Sequence, residues 1–153
     1  MNTALGTGDS PLSPGFLAWR DMCAKNPEFD VARLFARGNP QMSAAECAAY
    51  EAPFPDRGHR AALRAFPAMV PDRPDADGAA VSREARDFWS TRWDGRAMMA
   101  VGAKDPVLGL PVMQALRRAL KGCAEPMVIE QAGHFVPEHG EQIAQAAVGY
   151  FGR

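Results

Sequence analysis

Asp105 and His134 are the two residues of this 153-residue chain whose types and placement suit proton-transfer chemistry. Asp105 follows Gly102-Ala103-Lys104, just past an apolar run at Ala97–Val101. His134 lies in Ala132-Gly133-His134-Phe135, just past a second run at Met127–Ile129. In an open parallel sheet, ligands gather outside the carboxyl ends of the strands. A carboxylate placed there can hold an imidazole in one tautomer and stabilise the imidazolium formed when the ring takes a proton. Taken singly, Asp105 could simply open a turn with Pro106, and His134 could be a turn residue after a glycine. Taken together, 29 residues apart at the ends of consecutive strands, they favour the functional reading.

The other reactive side chains lack such a setting. His59 lies among arginines at a helix start, where a solvated side chain is expected, and His139 is expected to be exposed in the first turn of the last helix. Cys23, Cys47 and Cys123 are odd in number and widely spaced, which fits neither a disulfide framework nor a zinc site. Buried free thiols are the commoner outcome for such residues. No metal site is expected. Trp19, Trp89, Trp93, Phe54 and Phe66 could line an apolar pocket, although aromatic residues at helical spacing more often form core.

The elements that must position the pair follow from periodicity. Residues 1–15 are an irregular lead-in rich in Gly, Ser and Pro. Residues 16–93 contain only helices and loops: Phe16–Cys23, Val31–Arg37 capped by Asp30, a helix opened by the capping box Ser43-Ala44-Ala45-Glu46, Gly58–Phe66 ended by Pro67, and Ser82–Trp93. Ala52-Pro53-Phe54-Pro55-Asp56 is expected to be extended, because each proline disfavours helix in its predecessor. After Asp94-Gly95 the pattern becomes strand (Ala97–Val101), helix (Pro111–Lys121, closed by Gly122), strand (Met127–Ile129) and helix (Pro137–Phe151). That is a parallel crossover unit at residues 94–153. Two parallel strands cannot bury both faces alone, so exposed apolar surface and self-association through the sheet are expected.

Composition narrows the partners. Hydrophobic residues make up 47% and charged residues 23%, which places the chain among globular proteins. A net charge of −1 gives no electrostatic case for nucleic acid or an anionic membrane. No apolar run approaches the ~20 residues that span a bilayer. Met1–Gly6 has neither a basic region nor an apolar core, so no secretory signal is seen, and the unpaired cysteines suit a cytoplasmic location.

Over most of its length the chain resembles the C-terminal half of the haloalkane dehalogenases. The likeness is carried by Gly15-Phe16-Leu17-Ala18-Trp19, Ala49-Tyr50-Glu51-Ala52-Pro53-Phe54-Pro55-Asp56, Phe66-Pro67-Ala68-Met69-Val70, Gly102-Ala103-Lys104-Asp105-Pro106-Val107-Leu108-Gly109 and Ala132-Gly133-His134-Phe135-Val136. The Ala-Pro-Phe-Pro-Asp run and the spacing of Asp105 to His134 are its most specific parts. The resemblance implies an α/β class: a partial α/β-hydrolase fold in which a helical cap (16–93) precedes two parallel strands with flanking helices (94–153). It makes Asp105 the charge-relay acid and His134 the base that activates water. Phe66, Pro67, Val70, Val107 and Leu108 match positions that line the substrate pocket.

The implied reaction has two steps and needs no metal or organic cofactor. A carboxylate displaces halide from a small apolar haloalkane, and activated water then hydrolyses the alkyl-enzyme ester. Two departures stand out. The sequence contains neither Gly-x-Ser-x-Gly nor its carboxylate counterpart. In this superfamily the nucleophile precedes the acid and the histidine, so it is expected upstream of Met1, and the chain alone is expected to be inactive. The second halide-binding tryptophan of the family falls at Gly38, which has no ring N–H to offer. An esterase or epoxide hydrolase with the same pair, or a non-catalytic fragment that needs a partner chain, stays open at this point.

Overall fold

A computed structural model describes residues 1–152 and resolves two compact units. One is Gly8–Gly78; the other combines Met1–Thr7 with the chain from Ala79 onward. The boundary between the two units falls at Gly78/Ala79.

The Gly8–Gly78 unit is helical: α1 (Pro14–Lys25), α2 (Val31–Gly38), α3 (Ala44–Glu51) and α4 (Ala61–Ala68). Each of the first three starts on a side-chain cap. Ser13, Asp30 and Ser43 accept from the backbone N–H of Phe16, Arg33 and Glu46. At α3 the box is reciprocal, since Glu46 accepts from the Ser43 N–H at 2.7 Å. The cap draws the exposed Glu46 carboxyl below its ordinary range. Ser43→Ala should lower stability by about 1 kcal/mol in urea unfolding, the usual cost of losing such a cap.

Helices α2 and α3 pack together, with the Phe35 and Tyr50 rings stacked at 3.9 Å. Glu51 accepts from the Ala32 N–H at the start of α2 (2.9 Å) and pairs with Arg60. Arg60 also donates to the carbonyls of Phe29 and Phe54, so one guanidinium ties the α1–α2 loop to the end of α3 and the loop that follows it.

The stretch after α3 corrects an expectation. Ala52, which precedes Pro53, lies in the helical region at φ −51°, ψ −36°. The Phe54 N–H bonds to the Glu51 carbonyl at 2.9 Å, closing a turn. The gain of that bond at the helix end outweighs the steric bias of the following proline. Pro67 lies inside α4, one residue before its end, and is buried.

The second unit starts with α5 (Ala79–Asp87) and a π turn (Phe88–Arg92) where a continuous helix was expected. The Trp93 N–H reaches back five residues to the Phe88 carbonyl at 3.0 Å. That wider turn gathers Phe88, Trp89 and Trp93 into one aromatic cluster. Then follow β1 (Ala100–Gly102), α6 (Leu110–Arg118), β2 (Met127–Ile129), a 3₁₀ turn (Val136–His139) and α7 (Gly140–Phe151).

Strands β1 and β2 pair in parallel, in the register Ala100↔Met127, Val101↔Val128, Gly102↔Ile129. An isolated bridge, Ala97↔Cys123, continues the pairing towards the N-terminal side. Strand β1 is buried throughout. Met99 and Val101 pack with Met113 and Cys123, and Ala100 packs with Ile129, Ala132 and Val136. These two clusters cover β1 on both faces, so the apolar exposure expected of so small a sheet falls on β2. There Val128 is exposed at 38% of its surface and Met127 is half-buried, while Ile129 is buried.

Among the described residues no helix is long and apolar enough to cross a membrane.

Candidate active site

Asp105 and His134 meet. The β1 chain leaves the sheet at Gly102 and the β2 chain at Ile129. Two backbone bonds then hold the departing loops together: Ala103 N–H to Ile129 carbonyl (3.1 Å) and Lys104 N–H to Ala132 carbonyl (2.9 Å). This lacing works only because position 102 is glycine. A Cβ there would lie 2.1 Å from the Gly133 carbonyl oxygen and 2.7 Å from that of Ala132. Both are backbone atoms and cannot swing aside. Gly102→Ala should therefore cost about 2 kcal/mol or more by denaturant midpoint. It should also displace the Gly133-His134 backbone, visible as altered amide shifts in that loop.

Asp105 Oδ2 accepts from His134 Nδ1 at 2.8 Å. Its other oxygen, Oδ1, accepts from the backbone N–H groups of Val107 (2.8 Å) and Leu108 (3.0 Å). The carboxylate side chain has no exposed surface, whereas the imidazole keeps 46% of its own. Burial by itself pushes the Asp105 carboxyl up. The two amide donors and the His134 contact outweigh it and hold the group below the ordinary carboxylate range. The acid is thus an anion at neutral pH. It fixes the Nδ1–H tautomer and leaves Nε2 as the basic nitrogen of a half-exposed ring. The arrangement can accept a proton from a water or hydroxyl and stabilise the imidazolium that results.

Val107 and Leu108 thus sit beside the acid, with backbone N–H groups that serve it directly, a role their side-chain types do not signal. Asp followed by Pro and two further residues is a recognisable side-chain-capped turn, and that pattern was the available clue. Phe66, Pro67 and Val70 belong to the Gly8–Gly78 unit, the first two within α4 and Val70 just after it. Phe66 is 66% exposed. Gly38 is the last residue of α2 and is exposed.

The remaining candidates separate cleanly. His59 Nδ1 pairs with Asp56 at 2.8 Å on an open surface. His139 is half-buried ahead of α7 rather than exposed. All three cysteines are buried and unpaired, and burial pushes the thiols of Cys23 and Cys123 up, away from the reactive thiolate. Two concavities lie apart from the acid and the histidine. One, of about 1100 Å³, is formed by α1, α2 and the loop between them. The other, of about 510 Å³, involves Trp89, Trp93, Leu116, Leu120 and Phe151. Neither is lined by Asp105 or His134. Among the described residues no three metal-binding side chains converge.

No protein-family profile matches the chain. Individual relatives do. A haloalkane dehalogenase of Psychrobacter cryohalolentis K5 is 34% identical over 153 residues, spanning 97% of this chain and 50% of the relative. One from Mycobacterium marinum is 30% identical over 151 residues, with the same shares. The tetrameric haloalkane dehalogenase of Paraglaciecola agarilytica NO2 superposes with a TM-score of 0.91 at 38% identity, over 99% of this chain and 50% of that one. The chain is homologous to half of a haloalkane dehalogenase. A haloalkane dehalogenase of Agrobacterium tumefaciens C58, at 20% identity and a TM-score of 0.67, shares the fold. The helices and two-stranded parallel sheet are accordingly a partial α/β-hydrolase fold, and the chain spans about half the length of the relatives it matches.

Proposed function

We propose that this chain is the acid-and-histidine half of a hydrolase that cleaves carbon–halogen bonds in small apolar haloalkanes. The observation that carries the reading is the buried Asp105 carboxylate bonded at 2.8 Å to the half-exposed His134 ring, just past the ends of paired parallel strands. Relatives that are named haloalkane dehalogenases favour it over an esterase or an epoxide hydrolase.

The mechanism divides between two halves of a protein. A carboxylate from the half not represented here attacks the halogen-bearing carbon; a C–O bond forms, the C–halogen bond breaks, and halide leaves. His134 Nε2 then takes a proton from water, whose oxygen attacks the ester carbonyl carbon. The acyl C–O bond breaks and the alcohol departs with the proton. Asp105 stabilises the imidazolium in between. Substrate contact is assigned to Phe66, Pro67, Val70, Val107 and Leu108 on the family likeness, with the helical segment 16–93 as the cap. The tetrameric relative supports self-association, for which the exposed Val128 on β2 is the candidate contact.

The test is halide release from 1,2-dichloroethane and 1-bromobutane. It compares this chain alone with this chain joined to the N-terminal half of the Psychrobacter relative. Release by the joined protein only is expected; none from a well-folded joined protein overturns the proposal. Gly38 is the first position to alter, because its ring donor is missing and its φ is not positive, so the backbone there admits a side chain. Gly38→Trp in the joined protein should raise halide release by roughly 10²-fold, the lower end of what one donor to a developing anion carries.

A further inference from the structure

Asn2 lies in the lead-in, where the sequence shows no motif, yet it touches the acid, the end of β1 and the residue before His134. Its Nδ2 donates to Asp105 Oδ2 at 2.5 Å and to the Gly133 carbonyl at 3.2 Å. Its Oδ1 accepts from the Gly102 N–H at 2.9 Å. We propose that Asn2 is a positioning residue of the Asp105–His134 pair, its single amide tying the end of β1, the acid and the backbone before His134 together. The inference rests on reading that pair as a charge relay.

The chemistry of each contact suits the task. Gly102 is buried, and a buried N–H needs an acceptor, which Asn2 Oδ1 supplies. Asp105 Oδ1 is occupied by two backbone amides, so His134 and Asn2 together fill Oδ2. A neutral amide donor supports the anion without carrying positive charge. A lysine or arginine at the same place would neutralise the carboxylate and weaken its hold on an imidazolium. The bond to Gly133 fixes the residue immediately before His134, which limits the swing of the ring. The lead-in is itself anchored. The Thr3 N–H contacts Met113 Sδ at 3.3 Å, and Arg83 donates to the Thr7 carbonyl at 2.8 Å.

The test uses the 153-residue chain labelled with ¹⁵N, and reads the His134 ring nitrogens and the Gly102 amide by NMR. Asn2→Ala removes both ends of the amide. It should move the Gly102 amide resonance, and the His134 Nδ1-bound proton should exchange with water roughly tenfold faster, the factor that one ordinary hydrogen bond carries. Asn2→Asp is isosteric and keeps the acceptor for Gly102, but replaces the neutral amide donor with a carboxyl that must share a proton with Asp105. It should leave the Gly102 resonance near its parent position and still change the His134 ring signals. That split is what a merely structural role would not produce, and the isosteric variant carries the test should Asn2→Ala lose its fold. Asp105→Asn is the reference. If it shifts the His134 ring signals and neither Asn2 variant does, Asn2 is not a positioning residue. If Asp105→Asn leaves the ring unchanged, the relay reading itself fails and takes this proposal with it.

Discussion

His134→Ala in the joined protein should release at most one halide per active site and then stop. Halide departure depends on the nucleophilic carboxylate and needs no base, so the first step proceeds. Hydrolysis of the ester needs a proton taken from water at neutral pH, and only His134 is placed to take it. A positioned general base contributes about 10²–10⁴-fold, so steady turnover should fall by roughly 10³-fold while the burst survives. Rapid-mix halide detection separates the two phases, and mass spectrometry should show the trapped alkyl adduct on the N-terminal half. Continued turnover in the variant would remove His134 from the second step. Loss of the burst as well, in a folded variant, would place the histidine in the first. Folding should be unaffected, because the ring is half-exposed and its one side-chain bond is to Asp105.

The pair was legible because two signals coincided in the sequence. Apolar runs marked the strands, and an acid and a histidine fell just past their ends. Strand β2 lies where its run places it, while β1 is shifted to Ala100–Gly102, the end of its run that pairs with β2. The helix caps at Asp30 and Ser43 were equally readable, since capping is local chemistry between residues three apart. What escaped was decided by tertiary contact. Asn2 gains its role from partners 100 to 131 residues away, and nothing within its own neighbourhood announces it. The π turn at Phe88–Arg92 follows from aromatic packing rather than from periodicity. The turn at Ala52 shows a steric rule for pre-proline residues yielding to one hydrogen bond at a helix end. The coverage of β1 also depends on distant residues: Met113 on one face and Val136 on the other come from elements that the strand pattern alone could not place.

Asp105→Asn should damage both stability and turnover, and the donors around the carboxylate show why. Two oxygens accept from Val107 and Leu108 N–H, Asn2 Nδ2 and His134 Nδ1. An asparagine has one oxygen with two lone pairs and adds two N–H groups of its own. If its oxygen faces the two backbone amides, its NH₂ meets Asn2 and His134, donor against donor. If it flips, the backbone amides lose their acceptor. In the first orientation the Asn2 N–H loses its acceptor and the ring must change tautomer; in the second both backbone amides lose theirs, at about 1–3 kcal/mol for each donor left without a partner. In the first orientation the ring is pushed to the Nε2–H tautomer, which cannot take a proton from water at that nitrogen. A loss of about 10³–10⁴-fold in ester hydrolysis is expected, with the halide burst again preserved. The stability difference should depend on pH in a defined direction. The Asp105 carboxyl is held below its ordinary value in the folded state, so its contribution is complete above about pH 4, the unfolded range. It disappears as the pH falls through the lower folded value. The gap between parent and Asp105→Asn should therefore be constant near neutrality and narrow on acidification below about pH 4. Urea titrations of both chains at several pH values measure this directly. A gap that widened in acid would mean that Asp105 is protonated in the folded protein, and the relay could not operate.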